Sequence, residues 1–151
     1  MPKPGDPAPE ISLPTDEGKP FLLSSLKGSQ VILYFYPKAD TPGCTKESCA
    51  FRDNSAAIGK KNAVVVGVSP DTEKAQAKFK TKYGLPFTLL ADPEHSAAEA
   101  YGVWKEKSMY GKKYMGVERT TFLIGQDGRI AHVFEKVTVD GHAGEVLAEL
   151  A

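Results

Sequence analysis

The run Val31-Ile32-Leu33-Tyr34-Phe35-Tyr36, stopped by Pro37, narrows the possible architectures more than any other part of the chain. It is rich in β-branched and aromatic residues and too short for a stable helix, so it reads as a strand covered on both faces. Such a strand needs helices above and below it, which points to an α/β sheet. Thr41-Pro42 then has the pattern of an N-cap followed by proline at the first helical position, where the missing N–H costs nothing. Cys44 falls in the first helical turn. There the unpaired N–H groups and the positive end of the helix dipole favour an anion, the form in which a thiol attacks. The helix is expected from Pro42 to about Gly59, with Cys44, Phe51 and Ile58 recurring on one face and Cys44 turned toward the core.

The remaining chain continues the alternation. Asn62 to Val68 reads as a second buried strand, and Ser69-Pro70-Asp71 as the cap of a helix that carries Ala75, Phe79 and Tyr83 and stops at Gly84. Phe87 to Ala91 is a third strand, and Asp92-Pro93 opens a short helix ended by Tyr101-Gly102. This order predicts a parallel core. Glu118 to Ile124 and Ile130 to Glu135, joined through Gln126-Asp127-Gly128-Arg129, predict an antiparallel finish. Val139 to Ala151 closes the chain as a helix with Val146, Leu147 and Leu150 inward. Ahead of the first buried strand, residues 1–9 are extended, Glu10 to Leu13 pairs with Pro20 to Leu23 as a hairpin, and Ser24 to Lys27 makes one helical turn. Val103 to Gly116 shows no clear period and is expected to be a long loop.

A length of 151 residues suits one domain, 1–151, with a core large enough to need no staples. Nineteen basic side chains balance nineteen acidic ones, which gives no electrostatic reason for nucleic acid or an anionic membrane as partner. The pairs Lys60-Lys61 and Lys112-Lys113 read as solvated surface. Met1 to Pro9 lacks the apolar core of a signal peptide, so a cytoplasmic protein is expected. In a reducing compartment the two cysteines, Cys44 and Cys49, point to redox or catalytic use rather than a structural bridge, and they are too few for a zinc site. No cofactor or metal is implied.

Pro37, Thr41 and Cys44 fit the Pro-x-x-x-Thr-x-x-Cys signature of peroxiredoxins. The stretch from Tyr34-Phe35-Tyr36-Pro37-Lys38 through Thr41-Pro42-Gly43-Cys44-Thr45 to Cys49-Ala50-Phe51-Arg52-Asp53 resembles the Q-type branch, the bacterioferritin comigratory proteins. Pro4 to Pro9 and Arg119-Thr120-Thr121-Phe122-Leu123-Ile124 carry the likeness over nearly the whole chain. The resemblance implies a thioredoxin-like fold, a central mixed sheet flanked by helices with an N-terminal β-hairpin. It also implies reduction of hydrogen peroxide and organic hydroperoxides through a sulfenic acid on Cys44. Thr41 would bond the peroxide and the sulfur, Arg119 would bring its charge to both, Pro37 would shield the sulfur, and the N–H groups of Gly43 and Cys44 would add oxygen donors.

Cys49 stands five residues after Cys44, and on an ideal helix that separation gives a rise of about 7.5 Å and a Cα–Cα distance of roughly 8 to 9 Å. A disulfide seldom spans more than about 6.8 Å. The resemblance implies that Cys49 resolves the sulfenic acid, so the first turns must unwind; Gly43 and the polar Thr45-Lys46-Glu47-Ser48 insert are expected to make that opening cheap. Thioredoxin is the implied reductant and a monomer the implied state. Three other readings remain at this stage. A thioredoxin-type oxidoreductase usually needs Cys-x-x-Cys, and position 47 is Glu. A cysteine hydrolase needs a histidine base, and no spacing ties His95, His132 or His142 to Cys44, so surface or capping roles are expected for them. A holdase would need neither thiol.

Overall fold

The computed structural model describes residues 1–151. Its centre is a five-stranded mixed sheet whose strands lie side by side in the order Thr88–Ala91, Ala63–Ser69, Gln30–Phe35, Thr120–Ile124 and Ile130–Phe134. Gln30–Phe35 forms β3, every residue of it buried, and it pairs in parallel with β4, Ala63–Ser69. Beyond β4 lies β5, Thr88–Ala91, also parallel. On its other side β3 pairs antiparallel with β8, Thr120–Ile124, and β8 with β9, Ile130–Phe134. The N-terminal hairpin consists of β1, Ser12–Pro14, and β2, Pro20–Leu22, followed by a single 3-10 turn at Leu23–Leu26.

Alternation along β3 divides the core. Val31, Leu33 and Phe35 face one layer with Leu90, Tyr101, Val117 and Phe122, against which Leu13 and Phe21 of the hairpin also pack. Ile32, Tyr34 and Tyr36 face the other, which contains Cys44, Phe51, Ile58, Phe79 and Val146. The second layer is covered by α1, Pro42–Asp53, α2, Ser55–Lys60, α3, Glu73–Tyr83, and α5, His142–Glu149; α4, Ser96–Ala100, lies on the first.

The structure differs from the sequence expectations at definable places. The helix expected to run to Gly59 breaks at Asn54 (φ −101°, ψ 7°), whose side-chain amide donates to the Ala50 carbonyl and substitutes for continued helix. Thr72, not Ser69-Pro70-Asp71, caps α3, accepting from the Ala75 N–H. The helix expected from Asp92-Pro93 starts at Ser96, although the Asp92 carboxylate does accept from Ala97 and Ala98 N–H at its head. The closing helix starts at His142 rather than Val139.

The largest difference is at 103–116, where the expected loop is a hairpin of β6, Trp104–Met109, and β7, Lys112–Val117. Its turn is Tyr110-Gly111 with both φ positive (51° and 78°). A turn of that kind suits the strand twist but usually carries Asn or Asp first, so tyrosine hid it. Strand alternation was hidden too, because this ribbon forms a sheet of its own and is exposed along most of its length.

Candidate active site

The C-terminal end of β3 and the start of α1 place Cys44 in the first turn, as the Thr41-Pro42 pattern predicts. Thr41 is the N-cap residue by its extended backbone (φ −94°, ψ 157°), and its carbonyl accepts the first helical bond from Thr45 N–H at 2.8 Å. Its hydroxyl does not cap the helix; it donates to the Lys38 carbonyl at 2.7 Å. The loop before α1 is fixed by Asp71, which accepts from the Ala39 N–H, and by Asp40, which accepts from Lys82 and the Tyr83 hydroxyl. Cys44 itself is 1% exposed.

Arg119, just before β8, reaches across to this turn. One terminal nitrogen donates to Cys44 Sγ at 3.3 Å, and the other donates to Glu47 Oε1 at 2.7 Å. A planar fork with permanent charge can bond both side chains at once. Gly43 explains how the guanidinium gets so close: a Cβ there would lie 3.2 Å from the nitrogen that bonds the sulfur. So Gly43 has a steric reason to lack a side chain, independent of its N–H.

Glu47 is the residue that sequence reasoning missed. It is 1% exposed, one Oε has no partner, and burial pushes its carboxyl up to about 7 against the opposing pull of Arg119. Burial works against the charge on Arg119, yet attraction to Glu47 and Cys44 outweighs it and holds the guanidinium above its ordinary range. The available signal was spacing, since a residue three positions after Cys44 lies on the same helix face. Ser48 is likewise buried, with its hydroxyl 2.8 Å from that of Tyr34. The polar insert is therefore half anchored: opening the helix start must break the Glu47 and Ser48 contacts, a correction to the cheap opening expected from the sequence.

Cys49 is half-buried and lines a shallow groove with Asp40, Pro42, Thr45, Lys46, Lys82 and Tyr83, away from Arg119. Both thiols are free, in one unbroken helix. Pro37 follows the end of β3, half-buried. His142 corrects the expectation of a surface or capping role: it is buried, with Nε2 2.8 Å from the Thr121 hydroxyl, and burial lowers its pKa. A separate cavity of about 330 Å³ beside Pro7, Leu23 and Arg129 contains none of these residues. No cluster of side chains in the chain has the makeup of a metal site.

The raised Glu47 carboxyl makes a pH prediction. The folded state holds this proton up to about 7 while the unfolded chain releases it near 4.5, so stability is present below 4.5 and lost as pH rises through 7. The full effect is on the order of 3 kcal/mol. Glu47→Gln is expected to flatten that part of the curve in urea melts at successive pH values; an unchanged slope would contradict the assignment.

A buried thiol at a helix start, paired with an arginine from the connection just before a neighbouring strand of a thioredoxin-like sheet, defines a cysteine-based redox protein. Comparisons make this specific. The AhpC/TSA family matches residues 4–133. A relative from Coxiella burnetii, bcp, is 56% identical over 97% of each chain, and the peroxiredoxin Bcp of Bacillus subtilis is 49% identical over 97% of this chain and 93% of its own. A cysteine-to-serine variant of Xylella fastidiosa PrxQ superposes with a TM-score of 0.94 at 36% identity, covering 99% of this chain and 96% of its own. The chain belongs to the AhpC/TSA family and is a peroxiredoxin, a thiol peroxidase.

Proposed function

We propose that the chain reduces hydrogen peroxide and organic hydroperoxides, with Cys44 as the peroxidatic and Cys49 as the resolving cysteine. The observation that carries the assignment is the 3.3 Å contact between the Arg119 guanidinium and Cys44 Sγ in the first turn of α1. The Cys44 thiolate attacks one peroxide oxygen, the O–O bond breaks, and the other oxygen leaves as water or an alcohol after taking a proton. Sulfur loses two electrons and becomes a sulfenic acid. Arg119 stabilises the thiolate beforehand and the oxygen charge as it shifts. Thr41, with its hydroxyl proton spent on Lys38, offers its oxygen to a substrate proton, and the N–H groups of Gly43 and Cys44 face the other oxygen. Pro37 shields the pocket. A structure of the Xanthomonas campestris bacterioferritin comigratory protein is described in terms of alkyl peroxide reduction, which supports an organic substrate here.

Resolution requires α1 to open, because its intact geometry keeps the two sulfurs out of bonding reach. The Cys49 thiolate then attacks the Cys44 sulfur, the S–S bond forms, the S–O bond breaks, and the leaving hydroxide takes a proton to become water. Thioredoxin supplies the two electrons that restore both thiols by exchange. The enzyme acts as a cytoplasmic monomer. Peroxide-dependent oxidation of reduced thioredoxin tests this reading. The wild type is expected to turn over, and Cys49→Ser to keep the first peroxide-consuming step while losing most steady-state turnover. Equal turnover of the two proteins would remove Cys49 from the cycle.

A further inference from the structure

Six large apolar side chains are exposed in this chain, and four of them, Met109, Tyr110, Tyr114 and Met115, belong to the β6–β7 hairpin. Tyr110, at the turn, is 98% exposed. The same ribbon carries Lys105, Lys107, Lys112 and Lys113 against a single acidic residue, Glu106, which pairs with Lys113 at 3.6 Å. The even charge of the whole chain therefore conceals a local excess of cations. Register sorts the groups: Lys105, Lys107, Met109, Lys112 and Tyr114 fall on one face, by the pairs Lys107–Tyr114 and Met109–Lys112. Lys107 makes no ion pair, and its stem lies across Gly116, three residues before Arg119.

We propose that this hairpin is a docking element for an anionic lipid surface, with Met109 and Tyr110 entering the interface and the lysines meeting the headgroups. Methionine and an amphipathic tyrosine at a protruding tip, backed by lysines whose stems can extend along the interface, fit the boundary between acyl chains and anionic headgroups. Methionine and tyrosine are also common in protein–protein interfaces, but lysine is depleted there, so the cluster of lysines beside them is what favours an anionic lipid surface over a protein. Lipid docking goes beyond the proposed peroxide chemistry and is measured without it.

Co-sedimentation of the full chain with vesicles tests the proposal. Binding is expected to vesicles of equal parts phosphatidylcholine and phosphatidylserine, with release by salt, and not to phosphatidylcholine alone. Lys105→Glu with Lys112→Glu, both on the face that carries Met109, is expected to weaken binding by more than about twentyfold, and Met109→Ser with Tyr110→Ser to weaken it while thermal unfolding stays unchanged. Tyr110→Trp is expected to add emission that shifts to the blue on anionic vesicles. No binding to anionic vesicles at low salt overturns the proposal, whether or not the chain then self-associates or captures an acidic protein. Equal binding to neutral vesicles, or binding untouched by both double variants, overturns it too.

Discussion

Cys44→Ser is expected to abolish peroxide reduction, with a fall of at least about a thousandfold in the rate of peroxide consumption, the scale typical of losing a covalent nucleophile. A serine hydroxyl at the same helix start is scarcely ionised, and oxygen cannot accept the peroxide oxygen as sulfur does. The side chain is small and the site buried, so the fold is expected to survive. Far-UV circular dichroism and thermal unfolding would show that. Substantial residual activity in a folded Cys44→Ser protein would mean that the chemistry lies elsewhere, and it would favour the holdase reading if chaperone activity remained as well.

Arg119→Met is expected to slow the first step by about a hundredfold to a thousandfold, the range seen when a preorganised charge donor is removed from a transition state. The loss should appear in the second-order rate with peroxide, measured by rapid mixing, and the number of reactive thiols should be unchanged. Arg119→Lys is expected to recover only part of it, because an ammonium group cannot bond Cys44 Sγ and Glu47 Oε1 together as the fork does. If Arg119→Met reacts with peroxide at the wild-type rate, the 3.3 Å contact has no catalytic meaning. Glu47 Oε1 bonds the other terminal nitrogen of the same guanidinium at 2.7 Å, so Glu47 is expected to set where Arg119 points.

What could be read from the sequence was local. The apolar run of β3, the Thr41-Pro42 helix start and the position of Cys44 each depend on neighbouring residues and were legible for that reason. The Asp127-Gly128 turn between β8 and β9 was legible in the same way, with Gly128 at φ +80°. Glu47 was not, because its meaning comes from Arg119, 72 positions later; without that partner it reads as one more polar residue in a solvated insert. Arg119 itself was placed only by family resemblance. The β6–β7 hairpin escaped because both strands are largely exposed and its turn uses Tyr110 where Asn is usual, so neither alternation nor turn chemistry marked it. Asn54 breaks the first long helix through a side-chain bond to Ala50 that an apolar period ignores.

In the proposed cycle, Arg119 and the helix start hold Cys44 ready for peroxide, and the same helix holds Cys49 out of reach until the Glu47 and Ser48 contacts break. Contacts of this kind are each worth about 1 to 3 kcal/mol, enough to keep the closed form dominant yet within reach of local opening.

The most direct test is to treat the reduced wild-type protein with one equivalent of hydrogen peroxide, count the remaining thiols, and map the product by mass spectrometry of peptides under non-reducing conditions. The account predicts loss of both thiols and a Cys44–Cys49 disulfide within one chain. A lasting sulfenic acid on Cys44 with Cys49 still free, or a disulfide between two chains, would contradict it.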